Sequence, residues 1–135
     1  MSEQPGPIDP EVIALAGRVF DLARAGATED LAGYLDAGVP ANLTNDKGDT
    51  LLILAAYHGH PDTVAVLLAH GADHSRINDR GQTPLAAAVF KQSADTVRHL
   101  MAAGADPDAG QPSARATAAF FELPEMTALL GRPRP

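Results

Sequence analysis

The sequence contains no cysteine and no tryptophan, and only six of its 135 residues are aromatic. Without cysteine the chain cannot form a disulfide framework, a cysteine-ligated zinc site, an iron–sulfur cluster or a thiol nucleophile. No run of about 18 apolar residues occurs, so no segment is predicted to span a membrane. No basic residue precedes Arg18 and no apolar block stands near the start, which argues against a cleaved secretion signal. We therefore expect a cytoplasmic protein.

Large apolar side chains are scarce as well. The apolar fraction is 45%, but 26 of those residues are alanine, and the chain has 12 glycines and 11 prolines. Because alanine buries little area, a wide globular core is not expected. A stack of short helices that approach one another closely would suit this composition better.

Positive charge is also in short supply. Ten basic residues stand against 17 acidic ones, which gives a net charge of −7, and no basic stripe interrupts the sequence. Such a surface repels phosphate, so nucleic acid is a poor candidate partner. A partner protein with a basic patch is favoured instead, mainly through its rate of encounter.

Glycines recur at a fixed period along the chain. A spacing of 33 residues separates Gly38 from Gly71, Gly71 from Gly104, and Gly48 from Gly81. Between the glycines, apolar residues keep the i, i+3, i+4 spacing of one helix face. A period of about 33 residues indicates a repeat architecture in which each unit packs on its neighbours.

One unit can be followed residue by residue. The turn-forming residues 45–49 predict a tight reversal, and Thr50 is placed to cap a short helix over 51–57. Pro61 marks the start of a second helix, which ends before Gly71. Each unit is therefore predicted as a turn, a short helix, a turn and a longer helix, and neither helix would be stable alone.

These motifs resemble the ankyrin repeat, which has the same period and whose signature includes Thr-Pro-Leu-His and Gly-Ala-Asp. The similar segments are Gly48-Asp-Thr-Leu-Leu-Ile-Leu-Ala-Ala56, Gly81-Gln-Thr-Pro-Leu-Ala-Ala-Ala88, Gly71-Ala72-Asp73 and Gly104-Ala105-Asp106. Ile53 and Ala86 stand where the signature has histidine. The resemblance, strongest over 41–106, implies an all-α solenoid of about four helix-turn-helix units with β-turn or hairpin fingers.

The predicted units are 8–45, 46–78, 79–107 and 108–131, with a disordered tail over 1–7 and a short tail over 132–135. The first unit lacks a turn-and-threonine segment, and Asp9-Pro10-Glu11 instead predicts the start of a lengthened capping helix. Its apolar stripe comprises Val12, Leu15, Ala16, Val19, Leu22 and Ala23. In the last unit the spacing shortens, from Gly81 to Gly110 for example, which is typical of a terminal cap.

The resemblance implies a non-catalytic protein-binding module, an adaptor or a regulator, that needs no cofactor. In ankyrin stacks the fingers and the exposed side of the first helices form a concave groove that binds another protein. The groove positions carried over onto this chain are Asp46, Lys47, Asp49, Tyr57, His58, Asp79, Arg80, Gln82, Phe90 and Lys91.

Tyr57 and Phe90 are the most informative pair, because they occupy the same repeat position in successive units. We expect them to form an aromatic ladder that anchors a partner, with Phe120 as a weaker third member. In the alternative interpretation Phe90 packs into the next unit and Tyr57 merely lies on the surface.

We expect the three aspartates of the fingers to have different roles. The carboxylates of Asp46 and Asp79 are expected to bond backbone N–H groups in their own turns. Asp49 follows the glycine and has less to do locally, so we expect it to contact the partner.

Two other functions are compatible with parts of the sequence. His58 with His60, and His70 with His74, suggest a metal-dependent enzyme, but a metal site needs three or four converging ligands and no catalytic signature occurs. A stack with weakly capped ends could instead assemble with further copies. Gly131-Arg-Pro-Arg-Pro argues against assembly because it breaks the final helix, and we expect a monomer without bound metal.

Overall fold

The computed structural model describes residues 10–132. The predicted tail over 1–7, the capping Asp9 and the last three residues of the predicted C-terminal tail lie outside the described residues. No helix within the described range is long and apolar enough to cross a membrane.

Eight helices and no strand make up the described part of the chain. They are α1 (Pro10–Ala25), α2 (Thr28–Asp36), α3 (Leu51–Tyr57), α4 (Pro61–Ala69), α5 (Pro84–Lys91), α6 (Ala94–Ala102), α7 (Ala114–Phe120) and α8 (Pro124–Leu130). Helices α1, α3, α5 and α7 pack in one row, and α2, α4, α6 and α8 pack in a second row. Each odd-numbered helix also packs on the helix that follows it, so the molecule is an all-α solenoid, as the sequence predicts.

Hydroxyl side chains cap three of the inner helices, which is the name that we give to α1, α3, α5 and α7. The side-chain oxygens of Thr50, Thr83 and Ser113 accept hydrogen bonds of 3.0–3.1 Å from the backbone N–H three residues later. These bonds satisfy donors that the first helical turn leaves without partners. Pro61 begins α4 as expected, since a proline in the first turn removes no helical hydrogen bond.

The core consists largely of leucine, valine and alanine from both rows of helices. Leu51, Leu85 and Leu100 are fully buried, and the alanines of α3 and α5 are almost as inaccessible. Small side chains at these positions let neighbouring units approach closely, which accounts for the alanine-rich composition. In α1, Val19 and Ala23 are fully buried as expected, but Val12 at the start of the helix is 55% exposed.

The last unit keeps its helices but changes register. Two positions separate Gly81 from the capping Thr83, whereas three separate Gly110 from the capping Ser113, so the last turn contains one extra residue. Helix α8 ends at Leu130, directly before Gly131, as the sequence predicts.

Candidate functional site

The fingers, which are the turns at residues 45–49, 78–82 and 107–111, and the ends of the inner helices border an open cavity of about 680 Å³. We call this region the polar half of the groove. It is lined by Arg24, Asn45, Asp46, Lys47, Asp49, Ile53, Leu54, Tyr57, His58, Asp79 and Arg80.

A second cavity of about 450 Å³ lies further along the stack, against α7. We call it the aromatic half of the groove. It is lined by Gln82, Phe90, Pro112, Ala116, Thr117, Phe120 and Phe121. A smaller cavity of about 250 Å³ joins the two halves and shares Tyr57, Arg80, Gln82 and Phe90 with them.

Four of the six aromatic residues form a ladder along the groove. The rings of Tyr57 and Phe90 are stacked, with centroids 6.0 Å apart and planes inclined by 10°. The rings of Phe90 and Phe121 lie edge to face with centroids 5.7 Å apart, and the rings of Phe121 and Phe120 do so with centroids 4.9 Å apart. The Tyr57–Phe90 stack agrees with the expectation from the repeat, but the ring that continues it is Phe121 rather than Phe120. Phe90 therefore packs on the next unit and yet stays 46% exposed.

Cations surround the first ring of the ladder. The guanidinium carbon of Arg80 lies 5.9 Å from the centroid of Tyr57, within the range of a cation–π interaction. Lys91 lays its aliphatic chain over Gly59, next to His58. Burial lowers the pKa of His58 below its usual 6.5, and the positive charges of His60, Arg24 and Lys91 lower that pKa further. The surroundings of His58 therefore favour its neutral form.

Asp49 corrects one expectation. It is only 6% exposed, and its Oδ1 accepts a hydrogen bond of 2.8 Å from Nδ2 of the buried Asn78 in the next finger. The expectation that Asp49 has little structural work is wrong, because the stacking of fingers supplies a donor that local sequence does not show. Asp49 forms part of the floor of the polar half.

The turn carboxylates give a second correction. The side-chain acceptors within the fingers belong to Asn45 and Asn78, whose Oδ1 atoms each accept two backbone N–H bonds of 2.9–3.0 Å. Asp46 and Asp79 do not have that role and are exposed. The asparagine precedes the turn and can reach the amides two and four residues later, whereas the aspartate lies within the turn itself.

The histidines have structural contacts. Nε2 of His60 lies 2.8 Å from the carbonyl oxygen of Arg24, which links α1 to the second unit. His70 bonds the carbonyl of Val66 at 2.9 Å and the carboxylate of Asp36 at 2.8 Å, and these two acceptors raise its pKa. Across residues 10–132, no three side chains converge in the manner of metal ligands.

Most of the predicted groove residues are brought together. The polar half collects seven of them, from Asp46 to Arg80, the aromatic half contains Gln82 and Phe90, and Lys91 lies beside Gly59. Sequence reasoning missed Arg24 and Phe121. Arg24 stands one full period before Tyr57, so the repeat itself could have identified it, whereas nothing in the period marks Phe121.

The chain belongs to the ankyrin repeat family. The family model for ankyrin repeats in three copies matches residues 20–111, which is more than half of the chain. The match ends before α7 and α8, where the spacing shortens. Ankyrin repeats are generally protein–protein interaction modules, and the family is typically non-enzymatic.

A bacterial relative carries the same type of repeat. Over 65 residues this chain is 49% identical to a protein of Pseudomonas aeruginosa that is named as an ankyrin repeat protein. The matching segment makes up 47% of this chain and 38% of that protein. The similarity therefore concerns a shared repeat segment and not the whole length of the relative.

Proposed function

We propose that this protein is a cytoplasmic adaptor or regulator, without catalytic activity, that binds a partner protein in the groove formed by the polar and aromatic halves. The aromatic ladder carries the proposal. Aromatic and arginine side chains are enriched at interface centres, because rings contribute large contact areas at a small cost in conformational entropy and the arginine guanidinium combines several hydrogen-bond donors with stacking on rings. Here three exposed or half-exposed rings, Tyr57, Phe90 and Phe121, lie in one row with Arg80 beside them.

The scaffold supports this use. The fingers are tied to each other through the backbone, by Asp79 N–H to the carbonyl of Lys47 at 3.0 Å and Gln111 N–H to the carbonyl of Gly81 at 2.9 Å. A groove held in this way loses little conformational freedom when a partner binds, and such preorganisation favours affinity.

The test is affinity capture with the full chain, followed by titration calorimetry with the purified partner. Tyr57→Ala combined with Phe90→Ala should weaken binding by about tenfold or more, because both side chains are anchors. Ile13→Ala is the matched control, since Ile13 is an apolar side chain exposed by 57% on α1, outside the lining of the groove. Unchanged affinity in the double variant, with native circular dichroism, would disprove the groove assignment.

A second candidate function is self-association through the end of the stack. A shallow surface on α7 and α8 with a cavity of about 610 Å³ is lined mainly by small and apolar side chains, among them Ala119, Leu123 and Ala128. Sedimentation velocity over a wide concentration range distinguishes the two functions. A monomer at all concentrations excludes self-association and leaves the binding module.

A further inference from the structure

Three of the four phenylalanines lie together at the aromatic half. Phe90, Phe120 and Phe121 are 46%, 79% and 49% exposed, and Phe121 meets each of the other two rings edge to face. Exposed apolar side chains in contact with one another mark interaction sites. The cavity of about 450 Å³ beside the rings has the size of a pocket that takes a small organic group. The aromatic half therefore has room for one large side chain.

No charged side chain lines the aromatic half. Its lining consists of the three rings together with Gln82, Pro112, Ala116 and Thr117. Arg80 lines the polar half and the joining cavity, but not the aromatic half. A charged group that entered this cavity would lose hydration without meeting an opposite charge there. The occupant that complements the lining is therefore uncharged.

One polar atom of this lining lacks a partner. Oε1 of Gln82 is buried and accepts no hydrogen bond within residues 10–132. The other polar side chain of the lining is satisfied, because the hydroxyl of Thr117 donates to the carbonyl of Ser113 at 2.8 Å. A buried acceptor without a donor costs stability, so a ligand that supplies an N–H group recovers that cost on binding. The terminal amide torsion of glutamine is soft, so rotation of the amide can present Oε1 to such a ligand.

The occupant must therefore combine a large apolar surface with a hydrogen-bond donor. Tryptophan has a large aromatic side chain, and its indole N–H donates and accepts nothing. Phenylalanine, leucine and methionine carry no donor. Tyrosine carries a donor together with an acceptor oxygen, for which the hydroxyl of Thr117 has no proton left. Tryptophan is also enriched among the residues that dominate binding at interfaces.

We propose that the aromatic half binds a tryptophan side chain of a partner protein. The indole ring packs among Phe90, Phe120 and Phe121, and its N–H donates to Oε1 of Gln82. This inference rests on the proposed function and names the partner residue that fills this part of the groove.

The experiment measures the binding of N-acetyltryptophanamide to the full chain. Because the chain contains no tryptophan, indole fluorescence reports on the ligand alone, and it should shift to shorter wavelength as the indole leaves water. In NMR spectra the largest changes of amide shift should occur around the aromatic half. The analogue methylated on the indole nitrogen lacks the donor and should bind about fivefold more weakly. N-acetylphenylalaninamide and N-acetyltyrosinamide should also bind more weakly.

Two variants separate the acceptor from the rings. Gln82→Met removes Oε1 and should make the two indole ligands bind equally. Phe120→Ala removes the most exposed ring, so the core stays intact, and both ligands should weaken by about fivefold with their ratio unchanged. Gln92→Met and Ile13→Ala are the matched controls, since both residues are exposed and lie outside the lining. Both controls should bind as the native chain does.

The partner provides a second test. Once affinity capture has supplied it, each of its tryptophans is replaced by alanine in turn. One replacement should weaken binding to the native chain by about tenfold. A partner whose affinity survives every replacement would overturn the inference.

The contrary results are specific. Equal binding of the two indole ligands to the native chain, or no binding of either, would overturn the inference. Tighter binding of N-acetyltyrosinamide or of N-acetylargininamide would overturn the uncharged indole as the occupant. Changes of amide shift confined to other parts of the chain would overturn the site. The proposed function stands or falls separately, on whether Tyr57→Ala with Phe90→Ala weakens binding of the partner.

Discussion

The polar half and the aromatic half of the groove are built on the same row of inner helices but are held together differently. In the polar half, Asn78 of one finger donates to the buried carboxylate of Asp49 in the finger before it. Gln82 occupies the repeat position of Asp49 in the aromatic half, and its Oε1 is buried without a hydrogen-bond partner among the described residues. In the finger that follows Gln82, the shortened spacing places Pro107 at the position that corresponds to Asn78. Proline has no side-chain donor that could bond Gln82.

This difference shows that a constant repeat period allows side-chain hydrogen bonds between successive fingers, and that a shortened period accompanies an apolar wall. Where the repeat period holds, successive fingers are joined by side-chain hydrogen bonds and the groove is polar. Where the period shortens, the bond between fingers in the described part of the chain is a backbone one, from Gln111 N–H to the carbonyl of Gly81, and rings fill the wall. The departure from the repeat thus coincides with the apolar part of the proposed binding site.

The largest effect is expected at the polar junction. Asn78→Ala removes two bonds to backbone amides and leaves the buried Asp49 without its donor, so the free energy of unfolding should fall by about 4 kcal/mol. The matched variant is Asn45→Ala, which removes only the two turn bonds of a less buried asparagine and should cost about 1–2 kcal/mol. Urea denaturation measures both. Equal losses of stability in the two variants would show that the hydrogen bond between Asn78 and Asp49 adds nothing to the two bonds that Asn78 makes within its own turn.

The backbone junction of the aromatic half can be tested at Gly81. Its φ is +78°, and a methyl group there would lie 2.7 Å from the carbonyl oxygen of Gln111, so Gly81→Ala should destabilise the protein by about 3 kcal/mol. Gly71 has a φ of +85° but no atom within 4 Å of such a methyl, and Gly71→Ala should cost about 1 kcal/mol. Thermal unfolding compares the two. A Gly81 variant no less stable than the Gly71 variant would mean that the fingers can separate freely.

The buried Oε1 atom of Gln82, which has no hydrogen-bond partner among the described residues, predicts that its replacement will raise stability. Gln82→Met keeps the length of the side chain and removes the buried acceptor, so stability should rise by about 1 kcal/mol. The matched Asp49→Leu should instead lower it, because Asn78 would lose its acceptor. Urea denaturation decides, and a destabilised Gln82→Met would indicate that the amide of Gln82 is satisfied in solution.

The smallest effect concerns pH. The pKa of His58 should lie below 6.5 and that of His70 above 6.5, and a titration of the imidazole resonances by NMR measures both. His70 then contributes stability that is fully present below 6.5 and is lost as the pH rises through its folded-state pKa. His58 acts in the opposite direction, because stability falls as the pH drops below the unfolded-state value of 6.5. If His58 titrates above His70, the opposite directions assigned to the two pKa values are wrong.

Much of the fold was accessible from the sequence. The helix over 51–57 with its Thr50 cap and the helix beginning at Pro61 are present as predicted, because caps and turn residues act within a few positions along the chain. The Tyr57–Phe90 stack was equally accessible, since the period places both rings at one position of adjacent units.

The partners of Asp49 and Phe90 were not accessible in the same way. Asn78 belongs to the next finger after Asp49, and its amide reaches that carboxylate only when two fingers are packed against each other. Phe121 contacts Phe90 across a junction where the period has already changed. In both cases the contact depends on the relative position of two units, which no local pattern encodes.

The sequence by itself determined that this protein is an ankyrin solenoid, because a fixed repeat period, helix caps and small apolar side chains act locally and recur from unit to unit. Tertiary structure decided which side chains became structural and which stayed available at the groove. Stacking buried Asp49 and brought Phe121 into the ladder between Phe90 and Phe120, whereas Lys47 and Arg80 make no ion pair within residues 10–132. The physical reason is that burial and pairing depend on neighbouring units in space, whereas caps and turns depend on neighbours in the chain.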